Sequence, residues 1–219
     1  MLSPTDAAYV ATKKIRLGKA ALKSPFKECV EALRAAFPGV SIFNAHYERI
    51  APHDIPRLTV VVDYDEEQQK FFGGRGGYDK AKQAMAAEIF RDAVKAARND
   101  LYDTRDLFVI FSDFEGVARI EANAKVKEIE IERLRRRLAA DQIWAIHSFL
   151  DRVDFLFHTD AELNGPTDGL KNRLAEGYAA LIAPHDEFGY LANRPIAAYF
   201  SSKETFDRDY NSSWFNYYR

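Results

Sequence analysis

Val117-Ala118-Arg119-Ile120-Glu121-Ala122-Asn123-Ala124-Lys125-Val126-Lys127 is the stretch on which the fold class turns. Ala118, Ile120, Ala122, Ala124 and Val126 alternate with Arg119, Glu121, Asn123, Lys125 and Lys127. A period of two sustained this long predicts a strand with one apolar and one wet face. Upstream, Leu107 to Phe111 is continuously apolar, as in a strand covered on both faces, and Asp113 to Gly116 supplies a turn. Residues 106–127 therefore read as a β-hairpin.

Working outward, Leu58 to Tyr64 reads as another strand and the Ala-, Lys- and Glu-rich run Tyr78 to Asn99 as a long helix. From Glu128 the spacing of Ile131, Leu134 and Leu138, then Ile143, Ile146 and Leu150, predicts one helix or two joined near Ala140-Asp141. Val153 to His158 is a short strand. From residue 58 the order is thus strand, helix, strand, strand, helix, strand, that of a split βαβ or ferredoxin-like layer. The expectation is an α+β protein with a mixed or antiparallel sheet and helices on one face.

The flanks extend this frame. After Ser24-Pro25, the spacing of Phe26, Val30, Leu33 and Phe37 marks a helix that Pro38-Gly39 stops. Val40 to Ile50 reads as a half-buried strand that pairs with 58–64. Past Gly165-Pro166, one helical stripe holds Leu170, Leu174, Tyr178 and Leu181; Ile196 to Phe200 is a last strand. Ser201-Ser202-Lys203-Glu204 has capping-box order, so a short helix follows. Three segments result: a basic helical region 1–24, with Ser3 and Pro4 starting its helix; one α+β domain over 25–200; and an aromatic segment 201–219.

The balance of 31 Lys+Arg against 33 Asp+Glu, a net charge of -2, gives no whole-molecule field toward nucleic acid or anionic lipid, so such a partner needs a local patch. Cys29 is the single cysteine, which rules out an intrachain disulfide and suits a reducing, cytoplasmic setting. No apolar run approaches the roughly 20 residues of a membrane-spanning helix. Neither nucleic acid nor membrane is an expected partner.

Four constellations bear chemistry-capable residues. On the expected hairpin, Asp106 faces the strand carrying Glu121 and Lys125, an arrangement that resembles the PD-(D/E)xK nuclease motif, in which two carboxylates hold Mg²⁺ and a lysine positions the nucleophile. Here Arg105 replaces that motif's Pro, Asn123 stands where its Lys belongs, and Lys125 lies two positions further on. Gly73-Gly74-Arg75-Gly76-Gly77 before a helix offers backbone N–H groups to an anion, but Asp79 caps that helix and repels phosphate. Asp63-Tyr64-Asp65 at a strand end is similar to the opening motif of haloacid-dehalogenase-type phosphatases, with Glu67 where Thr or Val is expected. The pentapeptide Ile-Ala-Pro-His-Asp occurs at 50–54 and 182–186, and reads better as two Pro- and Asp-containing turns than as a His/Asp metal site.

The remaining anomaly is the C-terminus, where Tyr199, Phe200, Phe206, Tyr210, Trp214, Phe215, Tyr217 and Tyr218 place eight aromatics in 24 residues. So much apolar area must be covered, either by the chain's own sheet or by a partner. The leading expectation is a non-catalytic interaction or assembly protein, without cofactor, that docks a protein partner or a second copy through Tyr210, Trp214, Phe215, Tyr217 and Tyr218. The alternative is a Mg²⁺-dependent phosphodiester hydrolase with Asp106 and Glu121 as metal ligands and Lys125 as its third catalytic residue.

Overall fold

A computed structural model describes residues 2–74, 76–139 and 141–219. The chain is α+β and divides into two compact units, Met1–Val117 and Ala118–Arg219. In the first, helix α1 (Ala7–Arg16) and helix α2 (Phe26–Ala36) precede strands β1 (Ile42–Ile50) and β2 (Ile55–Val62). Short α3 (Asp65–Gln69), long α4 (Lys80–Ala96) and strand β3 (Phe108–Asp113) follow, and the division between the units falls within α5 (Glu115–Ala124). The second unit takes up α6 (Glu128–Ala139), β4 (Ile143–Phe149), β5 (Arg152–Phe157), α7 (Asp160–Asn164) and α8 (Asp168–Ile182). It ends in α9 (Tyr190–Asn193), β6 (Ala197–Ser202), α10 (Lys203–Tyr210) and α11 (Trp214–Tyr217).

Two expectations fail, for a common reason. Residues 115–124 are the helix α5, so the hairpin 106–127 does not form. Burial of Ala118, Arg119, Ala122, Asn123 and Val126 has a helical period, and Glu121 pairs with Lys125 one turn later at 3.4 Å. An Ala-rich stretch satisfies both periods, and its helix propensity decides. Conversely, residues 143–149 form a strand, not the second half of a helix; Ile143, Trp144, Ile146 and Phe149 are β-branched or aromatic and suit a pleated surface. Ala140, at the expected junction, lies outside the described residues. The consequence is two three-stranded sheets, ordered β1-β2-β3 and β4-β5-β6, where one layer running from residue 58 was expected. The stretch 25–200 contributes to both units.

The two sheets share one plan. Each opens with an antiparallel hairpin, and its second strand then takes a parallel partner after a helical crossover. Each hairpin carries a register shift at the same place, between Ile42 and Asn44 and between Ile143 and Ala145. Aligning the registers pairs Ile42 with Ile143, His46 with His147, Arg57 with Arg152, and Phe111-Ser112 with Phe200-Ser201.

Polar bonds that no sheet topology requires are repeated as well. Arg34 donates to the Ile42 carbonyl at 2.7 Å and Arg135 to that of Ile143 at 2.9 Å, each from eight residues upstream. Glu67 and Glu162 each close a capping box on the short helix after the second strand. The Asp65 N–H donates to Glu115 at 3.4 Å, and the Asp160 N–H donates to Glu204 at 2.8 Å. Asp113 and Ser202 accept the N–H three residues on, at 2.6 and 2.9 Å. The fold is an internal repeat of one helix–hairpin–helix–strand–helix unit.

Each sheet packs one face on its two long helices. Leu33, Leu58, Val60, Phe90 and Phe111 fill the first core; Leu134, Phe155, Phe157, Leu174 and Tyr178 fill the second. Cys29 is fully buried in the first, and burial pushes its thiol up to about 12.

The free edges differ. Along β3 the outward carbonyls are capped: Phe111 accepts from Gln68 and Tyr78 at 2.7 Å each, and Val109 from Gln83 at 2.5 Å. On β6 the equivalent carbonyls belong to Ala198 and Phe200, since the Ala197 N–H points inward to Asp151. Among the described residues no side chain caps them. Leu163 occupies the place of Gln68, and the Lys171 ammonium donates to the Leu163 carbonyl instead.

Candidate interaction site

The second face of each sheet is where the units part. In the first unit α1 covers it with ordinary packing: Tyr9 stacks on Phe114 at 4.9 Å, and Asn44 donates to the Thr12 hydroxyl at 3.1 Å. Arg16 lies over Phe43 at 4.2 Å and pairs with Asp63 at 2.7 Å. In the second unit the chain's own C-terminus covers the face. Phe206 is buried between Trp144 and Trp214, at 5.8 and 4.5 Å, and Trp214 stacks on His147 at 4.0 Å.

Asp154 anchors this cover. Thr59 and Asp154 hold the same place, opposite His46 and His147 respectively. Asp154 is fully buried in β5, which opens with Arg152 and is otherwise made of Val153, Phe155, Leu156 and Phe157. A buried carboxylate is costly unless it is paired and hydrogen-bonded. Its partners are Arg152 (Nε at 2.9 Å) and the hydroxyls of Tyr217 and Tyr218 at 3.2 and 2.8 Å.

Because the Tyr218 hydroxyl donates to Asp154, its oxygen accepts from Nδ1 of His147 at 2.8 Å. The network continues into rings: the Arg152 guanidinium sits over Tyr199 at 4.0 Å, and Tyr218 stacks on Phe149 at 4.3 Å. Burial, reinforced by Asp154, pushes both tyrosine hydroxyls up, Tyr217 to about 12. Burial lowers His147, with Asp154 pulling the other way.

Of the expected interface residues, Trp214, Tyr217 and Tyr218 are thus held against their own sheet, and Tyr210 meets Tyr217 edge-on at 4.9 Å. Phe215 differs. It is 67% exposed and touched by the Arg219 guanidinium at 4.3 Å. Tyr199 (48% exposed), Phe149, Leu150 and, on α6, Ile129 are the second unit's other exposed large aromatic and aliphatic side chains among the described residues. Tyr, Phe and Arg on a rigid backing are the groups that dominate protein interfaces.

The other candidates are placed as follows. Asp106 precedes β3 in a left-handed conformation (φ 49°), while Glu121 and Lys125 pair with each other on and just past α5. The strand partnership that would have joined the three is not formed. Among the described residues no group of three or more His, Cys, Asp or Glu side chains is arranged to hold a metal ion. Asp63 is paired with Arg16, and Asp79 caps α4 by accepting from Ala81 and Lys82 at 2.9 and 3.2 Å. Arg75, in the glycine loop, lies outside the described residues. Of the two Ile-Ala-Pro-His-Asp segments, the first ends in Asp54, which pairs with Arg49 at 2.6 Å. The second ends in Asp186, which accepts the N–H groups of Tyr190 and Leu191 at 3.1 and 2.9 Å.

Arg152, Asp154 and His147 were not singled out from sequence, although a lone Asp inside Val153-Asp154-Phe155-Leu156-Phe157 is a readable signal, since a charge in an apolar strand needs a dedicated partner. No helix among the described residues is long and apolar enough to cross a membrane. Comparison with protein-family models, with curated proteins and with solved structures gives no match.

Proposed function

We propose that this chain is a non-catalytic assembly module whose second unit docks a second copy of itself, with the C-terminal segment as a rigid part of the docking surface. The observation that carries the reading is the fixing of that segment by buried Asp154: an aromatic surface ordered in advance loses little entropy on binding.

The uncapped edge of β6 supports a second copy as the occupant. Ala197 to Ser202 contains no charge, so two such strands pairing antiparallel about a twofold axis bring no like charges together. Tyr199 on that strand carries the exposed ring beside Arg152. Proteins ordinarily blunt such an edge, and β3 of this same chain is blunted by Gln68, Tyr78 and Gln83. A cytoplasmic setting accompanies this reading, since the one cysteine is a buried thiol.

The test is sedimentation equilibrium of the full chain over a range of concentrations, beside Ala198→Pro. Proline at 198 removes an outward N–H and leaves the ladder to β5 intact. The parent's mass is expected to rise reversibly toward twice that of the chain. Ala198→Pro, with an unchanged circular-dichroism spectrum, is expected to stay monomeric. A parent that remains monomeric throughout, or an Ala198→Pro protein that dimerises as well as the parent, would overturn the proposal.

A further inference from the structure

The first unit contains a cleft of about 900 Å³ whose lining is dominated by cations. Arg91 and Lys95 stand one turn apart on α4, Arg98 follows the helix end, and Arg49 on β1 and Arg105 in the loop before β3 complete the set. Asp103 organises two of them, accepting from Arg105 at 3.1 Å and pairing with Arg49 at 3.5 Å. The Arg105 guanidinium in turn holds the Asp103 carboxyl down to about 2.

Five cations therefore face Asp100 and Asp103 in the cleft, with Arg49 paired also to Asp54 at 2.6 Å beside it. The side chains of Arg91, Lys95 and Arg98 have no partner among the described residues. The dipole of α4 favours cations in its last turn, which accounts for Lys95 and Arg98 but not for the convergence of Arg49 and Arg105 from other elements. Elsewhere in the chain the dense basic run is neutralised locally: Arg135 and Arg136 both pair with Glu132, at 2.9 and 2.7 Å.

We infer that this cleft binds a small anion bearing several phosphate groups. Guanidinium and ammonium groups supply the charge-assisted donors such oxygens need. The volume is that of a pocket for one small ligand. A long polyanion fits less well, because α4 carries Glu88 and Asp92 beside Arg91 and the net charge of the chain is -2.

The experiment is titration calorimetry of the full chain with inorganic tripolyphosphate, beside the triple variant Arg91→Gln, Lys95→Gln, Arg98→Gln. All three positions are exposed, so folding is retained, and a melting curve checks it. A control, Arg136→Gln with Arg137→Gln, removes the same kind of charge from α6. The parent and the control are expected to bind saturably at one site, and the triple variant at least about tenfold more weakly. No saturable binding by the parent, equal binding by the triple variant, or equal weakening in the control would overturn the inference. So would binding of a single-stranded DNA oligonucleotide without binding of tripolyphosphate.

Discussion

The two units are built on one frame and covered in two ways. In both, an arginine on the opening helix bonds the first strand's carbonyl, a glutamate closes the short helix, and a second glutamate reaches back to that helix from beyond the last strand. On the second, covered face of the sheet they differ at one decisive position. Thr59 hides a hydroxyl with no hydrogen-bond partner among the described residues, whereas Asp154 hides a carboxylate that organises Arg152, Tyr217 and Tyr218. The frame thus tolerates either a generic helical cover or a polar anchor for an aromatic segment.

Breaking the anchor should have an effect as large as a core truncation. Asp154→Ala leaves Arg152 and two tyrosine hydroxyls without their acceptor, and urea unfolding should show a loss of about 3 kcal/mol. Thr59→Val, at the matching position, should be neutral or stabilising by up to about 1 kcal/mol, since it removes a buried unsatisfied hydroxyl. If the two substitutions cost the same, the contrast between the units is wrong.

The shared frame has its own test. Leu33→Ala and Leu134→Ala delete equivalent core side chains, and each should cost about 2–5 kcal/mol in the same assay. Gly177→Ala sharpens the point for the second unit alone, because an added Cβ would stand 2.6 Å from the Leu134 Cδ1. Overpacking there should cost about 1–3 kcal/mol.

Acid should produce the smallest effect, and a similar one in both units. Burial lowers both His46 and His147 from the usual histidine value. A histidine with a depressed native value favours the folded state while neutral. That contribution is whole above about pH 6.5, the unfolded value, and is lost as pH falls from there through the depressed native values. His46→Gln and His147→Gln should each flatten part of this decline in a melting-temperature series, and the double variant more.

Much of the frame is legible in the amino-acid sequence. Helices α2 and α4 and strands β1, β2, β5 and β6 follow from hydrophobic spacing and from Pro, Gly and Ser punctuation. Helix α5 is not legible, because Ala118 to Val126 satisfies a period of two and a period of four together. Strand β4 is not, because Ile143, Ile146 and Leu150 mimic a helical stripe.

The repeat is hidden for a different reason. Its identities, among them Leu33-Arg34 with Leu134-Arg135 and Phe111-Ser112 with Phe200-Ser201, are scattered, and loops of unequal length change the offset between them. The one long identity, Ile-Ala-Pro-His-Asp, begins at the end of β1 in one unit and at the end of α8 in the other. As for the candidate site, the aromatic tail declares itself by composition, whereas its anchor becomes visible only when Asp154 is seen among its partners.

The two tryptophans, Trp144 and Trp214, both belong to the second unit and stack 6.5 Å apart, so intrinsic fluorescence reports on the covered face alone. Acrylamide quenching should be compared between the parent and Asp154→Thr, which gives the second unit the first unit's residue. Shielded, blue-shifted emission in the parent, becoming red-shifted and readily quenched in the variant while far-ultraviolet circular dichroism is retained, is the predicted result. Emission equally open to quencher in both proteins would contradict the claim that this one carboxylate fixes the C-terminal segment to its sheet.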